Sequence, residues 1–183
     1  MIYFVRHGQS QANLDNIYAG RRINSPLTEK GIEQAELTGM AMVSKGVEDP
    51  LVICSTMSRA VDTAKSVAAE LGVDESDITY DKDLEEWDFG ELSGQTKRSM
   101  TTAERLQIKG VESVNDFRTR IARAFLRMPK DKDVIVVAHG DISRLVQAIR
   151  DDADIKDFAD YAPIDNCELL EIDHQLLEKI TKL

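Results

Sequence analysis

Three apolar runs in this chain each stop against polar, chemistry-bearing residues, and that coincidence narrows the folds open to it. Residues 2–5 end on Arg6-His7-Gly8, Leu51–Cys54 ends on a polar turn that leads to Arg59, and Val134–Ala138 ends on His139-Gly140. Short runs rich in β-branched residues suit strands buried on both faces, as in a parallel sheet covered by helices. Val134–Ala138 is the strongest of them and reads as the centre of the sheet. Ligands of open α/β sheets bind in the crevice beyond the carboxyl ends of the strands. Two arginines and two histidines arriving at one such edge make a site for an anion.

The intervening stretches read as helices and loops. Leu27-Thr28-Glu29-Lys30-Gly31 opens a helix with Thr28 as N-cap, and Ile32, Ala35, Gly39, Met40 and Val43 are expected on its buried face. Val61, Ala64, Ala68 and Leu71 mark a second helix, with Arg59 in its first turn. Ser113 caps a third, whose stripe of Val114, Phe117, Ile121, Ala124, Phe125 and Met128 ends at Pro129. Further helices are expected over 142–149 and 176–180, with strands over 78–80, near a sheet edge, and over 168–172. Residues 9–26 and 83–94 read as loops, although Trp87 and Phe89 in the second demand burial. The pattern over 96–110 is weak, consistent with a poorly defined helix or a lid. Strands alternating with helices predict an α/β three-layer sandwich, a mostly parallel central sheet with helices on both faces. A length of 183 residues suits one core, hence a single domain over 1–183.

Composition excludes some partners. A formal net charge of −10 disfavours nucleic acid and anionic membrane. No apolar stretch approaches the roughly 20 residues of a membrane span, and the first apolar run is too short for a signal peptide, so a cytoplasmic protein is expected. Cys54 and Cys167 lack metal-ligand spacing and read as reduced thiols in or near the core. Oligomeric state is not legible.

Guanidinium groups bind phosphate oxygens bidentately, and nitrogen nucleophiles form covalent phosphoryl intermediates. Read singly, each signal is weak: Arg-His-Gly is common by chance, Arg59 alone reads as a surface residue, and His174 reads as exposed. Their conjunction resembles the histidine phosphatase superfamily, the phosphoglycerate-mutase-like proteins. Arg6-His7-Gly8-Gln9-Ser10 with Asn13 resembles its opening signature, and Leu27 to Gly31 with Gln34-Ala35 its first helix. Cys54 to Ala60 with Thr63-Ala64 resembles its second arginine segment, Leu84 to Gly90 its acid-donor segment, and Val137-Ala138-His139-Gly140 its second histidine segment.

That resemblance implies His7 as nucleophile, Arg6, Arg59 and His139 as holders of the phosphoryl oxygens, and Glu86 as the acid, with Glu85 the alternative. Asn13 and the Gly140 amide would add donors, Ser10 would belong to the same phosphate-binding segment, and Ala19-Gly20 would flank the substrate. It implies neither metal nor cofactor, and a small phosphorylated metabolite as partner. Neighbouring arginines should hold His7 neutral, while Glu86 needs an apolar wall or a nearby anion to stay protonated. The interval between Glu86 and His139 is shorter than in cofactor-dependent mutases and lacks their adjacent arginine pair, although Lys97-Arg98 and Arg105 lie there. A shorter lid admits water, so hydrolysis of an alkyl phosphate ester is expected over mutase transfer or non-catalytic phosphate binding. Arg21-Arg22 reads as solvated loop rather than substrate clamp, and Asp141, if it points inward, is expected to disfavour multiply anionic substrates.

Overall fold

The computed structural model describes residues 1–182. Its elements are β1 (Ile2–Arg6), α1 (Gln11–Leu14), α2 (Glu29–Ser44), β2 (Leu51–Cys54), α3 (Ser58–Glu70), β3 (Thr79–Tyr80), α4 (Thr102–Leu106), α5 (Val114–Leu126), β4 (Val134–Ala138), α6 (Gly140–Arg150), β5 (Leu169–Ile172) and α7 (His174–Thr181). Five strands form one sheet in the order β3-β2-β4-β1-β5. The first four run parallel and β5 is antiparallel to β1. The α/β sandwich with helices on both faces is therefore what the chain forms, and β4, buried along its whole length, is the middle strand.

Alternation along the strands sorts the core into two layers. Phe4, Val134, Val136 and Ile172 point to the side covered by α5, α6 and α7. Tyr3, Val5, Val52, Ile135 and Val137 point to the other, covered by α2 and α3. Trp87 and Phe89 join the first layer, Trp87 stacking edge-on to Phe158 with ring centres 5.0 Å apart.

The structure corrects the expected face of α2. Ile32, Met40 and Val43 are exposed, and the buried stripe is Gly31, Ala35, Thr38, Gly39 and Met42. Close approach to α3 selects small residues: a Cβ on Gly39 would press on the side chain of Glu70 at 2.6 Å. Residues 9–26 also hold a short helix that patterning missed. Ser10 and Asn13 close a reciprocal cap at the start of α1, a local hydrogen-bonding solution with little apolar signal.

Register positions the site. Arg6 pairs with Ala138 and Cys54 with Val137, so β1, β2 and β4 end together. The amide of His7 donates to the Ala138 carbonyl at 2.9 Å, and that of Ser55 to Val137 at 3.0 Å. The loop after β1 then turns hard against the start of α2. A Cβ on Gly8 would collide with the Gly31 carbonyl oxygen, and one on Gly31 with the Gln9 carbonyl oxygen. Gly31→Ala should therefore lower the unfolding free energy by about 1–3 kcal/mol, read as a lower urea midpoint. An unchanged midpoint would mean that the two segments are not held in contact.

Candidate active site

β1 delivers Arg6 and His7 to the carboxyl edge of the sheet. His7 Nδ1 lies 2.7 Å from the Gly8 carbonyl oxygen. A carbonyl only accepts, so Nδ1 carries the hydrogen and Nε2 keeps its lone pair. Arg59 Nε donates to that Nε2 at 3.1 Å. The rest of the Arg59 guanidinium is fixed by the carbonyls of Gly20 at 2.9 Å and Ile23 at 3.2 Å. Arg59 is therefore a buried core cation, 2% exposed, and not the surface residue that its place in a helix's first turn suggests. Thr63, one turn along α3, accepts from the Gly8 amide and donates to the Arg59 carbonyl, tying the helix to the loop.

His139 follows β4, its ring centre 5.2 Å from that of His7. Its Nε2 lies 2.8 Å from Ser55 Oγ, and its Nδ1 is buried and without a partner among the described residues. Arg6 Nη1 donates to the Ile164 carbonyl at 2.7 Å, while its buried Nε has no partner among them either. An unpartnered guanidinium N–H and a second buried arginine beside two imidazoles are the reverse of a cation site and suit an oxyanion.

Both imidazoles are held well below their ordinary pKa, first by burial and then by the Arg59 charge. Burial likewise pushes Arg59 down to about 10, which leaves it cationic at neutral pH. Glu86 moves the other way, up to about 7, because burial and then the neighbouring Asp141 carboxylate penalise its ionised form. The amides of Trp87 and Asp141 donate to the Glu86 carboxyl at 3.0 and 3.3 Å, the second from the first turn of α6. Phe89 shares the cavity lining with Glu86, whereas the Trp87 ring packs on Phe89, Phe117 and Phe158, and Asp141 is the second influence on the Glu86 carboxyl. Arg120 of α5 holds the Glu86 segment in place: it donates to the carbonyls of Asp83 and Glu86 at 2.7 and 2.9 Å and pairs with Glu112.

Arg6, His7, Arg59, Glu86 and Asp141 line one cavity of about 620 Å³, together with Ser10, Asn13, Ala19, Gly20 and Gly140, while His139 is fully buried against His7. Asn13 Oδ1 accepts from the Ser10 amide and from Asn166, so its nitrogen is the end left to donate. Glu85, the alternative acid, is committed to Thr56 and Arg21, and Arg22 pairs with Asp88. Neither arginine lines the cavity: they lie in a loop, Arg22 exposed, and tie it to Glu85 and Asp88. His174 is exposed and pairs with Glu178. Asp141 does point inward, and its charge is offset by Arg144 at 3.0 Å and Arg105 at 3.9 Å. Sequence reasoning missed Arg144, whose i, i+3 spacing from Asp141 was the available signal, and Asn166, which donates to the His7 carbonyl from a loop with no signal.

Comparison with known proteins identifies the family. The family model for the histidine phosphatase superfamily (branch 1) matches residues 2–178. A 2,3-bisphosphoglycerate-dependent phosphoglycerate mutase from Beijerinckia indica subsp. indica is 32% identical over 168 residues, covering 82% of this chain and 81% of the relative. One from Parvibaculum lavamentivorans is 33% identical over 161 residues, 79% of this chain and 76% of the relative. Among solved structures, the alpha-ribazole phosphatase from Shigella flexneri superposes with a TM-score of 0.74 at 22% identity, covering 95% of this chain and 91% of that one. A mycobacterial glucosyl-3-phosphoglycerate phosphatase gives 0.71 at 22% identity, with 92% and 90% covered. At such identity these two establish the fold alone.

The buried neutral histidines carry a pH signature. Unfolded, each binds a proton near pH 6.5, so unfolding takes up protons below that pH and stability falls as pH falls through it. Glu86 opposes this, holding between about 4.3 and 7 a proton that the unfolded chain releases. His7→Gln removes one uptake, so its stability should decline less steeply below about pH 6, by about 1.4 kcal/mol per pH unit. Urea titrations at several pH values measure this, and identical slopes would mean that His7 protonates within the fold.

Proposed function

Because the chain belongs to the histidine phosphatase superfamily, we propose that it is a metal-independent phosphomonoesterase acting on a small phosphorylated metabolite through a phosphohistidine on His7. The observation that carries this reading is the His7 tautomer: its Nε2 lone pair faces Arg59, with the unpartnered Arg6 Nε–H and the His139 ring also in the buried cluster. In the first step Nε2 attacks phosphorus, the N–P bond forms and the P–O bond to the leaving group breaks. Arg6, Arg59 and His139 hold the phosphoryl oxygens as charge develops on them, and the Asn13 amide nitrogen and Gly140 N–H add donors.

Glu86, with a pKa raised to about 7, passes its proton to the leaving oxygen. In the second step the Glu86 carboxylate takes a proton from water as that oxygen attacks phosphorus. The N–P bond breaks, orthophosphate leaves, and both His7 and Glu86 return to their starting states. Hydrolysis is favoured over transfer because the cavity's rim, residues 95–99, is exposed and admits water. Transfer between hydroxyls is the second reading, favoured by the names of the two mutase relatives; it requires transfer to outpace phosphate release when product alcohol is added.

Two variants test the scheme. His7→Ala should cut phosphate release by roughly 10³-fold or more, and the phosphoryl label seen on denaturing gels during turnover should vanish. Glu86→Gln should slow alkyl esters about 10²–10⁴-fold and aryl esters far less, since an aryl oxide leaves without a proton. Alkyl turnover should also decline above about pH 7, where Glu86 loses its proton. Equal losses for both ester types would remove Glu86 from the role of acid.

A further inference from the structure

Past Val5, which pairs with Leu169, β1 and the chain before β5 lose their one-to-one register. The amide of Cys167 donates to the Arg6 carbonyl at 2.9 Å, and the Arg6 amide to the Glu168 carbonyl at 3.4 Å, so two residues on one side face one on the other. This is a β-bulge of the kind whose first position ordinarily takes Gly, because its backbone is left-handed. Cys167 occupies that position with a φ of 61°, a conformation costly for a residue with a side chain. The turn that feeds it is closed by Glu168, whose amide donates to the Asp165 carbonyl at 3.1 Å and whose carboxylate accepts from the Asp165 amide at 2.6 Å. Bulges beside a site re-aim a side chain, and the side chain presented here is that of Asn166. Its Nδ2 donates to the His7 carbonyl at 2.8 Å and to Asn13 Oδ1 at 3.3 Å.

Backbone partners fix the orientation of both amides. A carbonyl only accepts, so the Asn166 atom beside the His7 carbonyl is the nitrogen. A backbone N–H only donates, so the Asn13 atom 3.1 Å from the Ser10 amide is the oxygen. The two side chains then meet donor to acceptor, and the Asn13 nitrogen is the end left free. Asn13 lines the cavity and Asn166 does not. We propose that Asn166 is a positioning residue: anchored on the His7 carbonyl, it never touches the substrate but holds the Asn13 amide with its nitrogen toward the phosphoryl oxygens. Without it, Asn13 is free to turn its oxygen to the same anion, which replaces a donor by a repelling acceptor. The inference rests on the phosphoryl-binding half of the proposed function and not on hydrolysis. The strained backbone at Cys167 is then the cost of bringing Asn166 over the end of β1.

The test is a double-mutant cycle read by calorimetric binding of orthophosphate to the unsubstituted, Asn166→Ala, Asn13→Ala and doubly substituted proteins. Asn166→Ala should weaken binding about three- to tenfold, yet cost nothing further once Asn13→Ala is present. Asn166→Ser, which keeps a polar turn residue, should give the same pattern and serves where Asn166→Ala does not fold. Equal losses in both backgrounds, as a merely loosened loop would give, overturn the positioning role. So does unchanged affinity in Asn166→Ala, or an Asn13→Ala protein that binds as tightly as the unsubstituted one. If the unsubstituted protein binds no orthophosphate, the phosphoryl site falls and the positioning role with it. The expected cycle in a protein that hydrolyses nothing supports the positioning role and overturns only the phosphatase reading.

Discussion

The parallel register of β1, β4 and β2 is the constraint from which the site follows. Because Arg6 pairs with Ala138 and Cys54 with Val137, the residues that follow each strand emerge side by side. His7, Ser55 and His139 are then neighbours through backbone hydrogen bonds, before any side chain contributes. Register in a buried sheet is strongly specified, since a slip of one residue would turn Phe4, Val134 and Val136 from one core layer to the other. The rigidity of the catalytic edge is thus maintained by the packing of the hydrophobic core.

On that edge the electrostatics divide in two. Burial drives the protons off His7 and His139 and onto Glu86, the same physical cause acting on groups of opposite charge type. A neutral imidazole with a fixed tautomer and a protonated carboxyl are the two states that nucleophilic phosphoryl transfer with a proton-requiring leaving group needs. The Gly8 carbonyl determines which nitrogen of His7 keeps the lone pair that faces Arg59, and Arg120 determines where the Glu86 backbone lies.

The loops that complete the site are held by polar contacts instead of apolar packing. Thr63 clasps Gly8, Asn166 reaches the His7 carbonyl, and Arg21 and Arg22 strap the segment after α1 to the acid's segment through Glu85 and Asp88. Such contacts link residues far apart along the chain and leave no periodic trace. That is why patterning recovered the strands, the capped helices α2 and α5 and the burial of Trp87 and Phe89, but missed α1 and misplaced the inner face of α2. There the apolar stripe of Ile32, Met40 and Val43 faces outward, and the close fit against α3 is made by small residues that hydrophobicity does not flag.

The sequence by itself determined the layered α/β architecture, because runs of apolar residues and helical stripes have one economical way to be buried. It also determined which residue types could meet at the sheet edge, through three strands that end on arginine and histidine. Tertiary structure alone decided the tautomer of His7, the burial of Glu86 while Glu85 is committed to Thr56 and Arg21, and the pairing of Asp141 with Arg144. Those outcomes depend on distances of a few ångströms between segments brought together only by folding, and on how deeply each charge is removed from water.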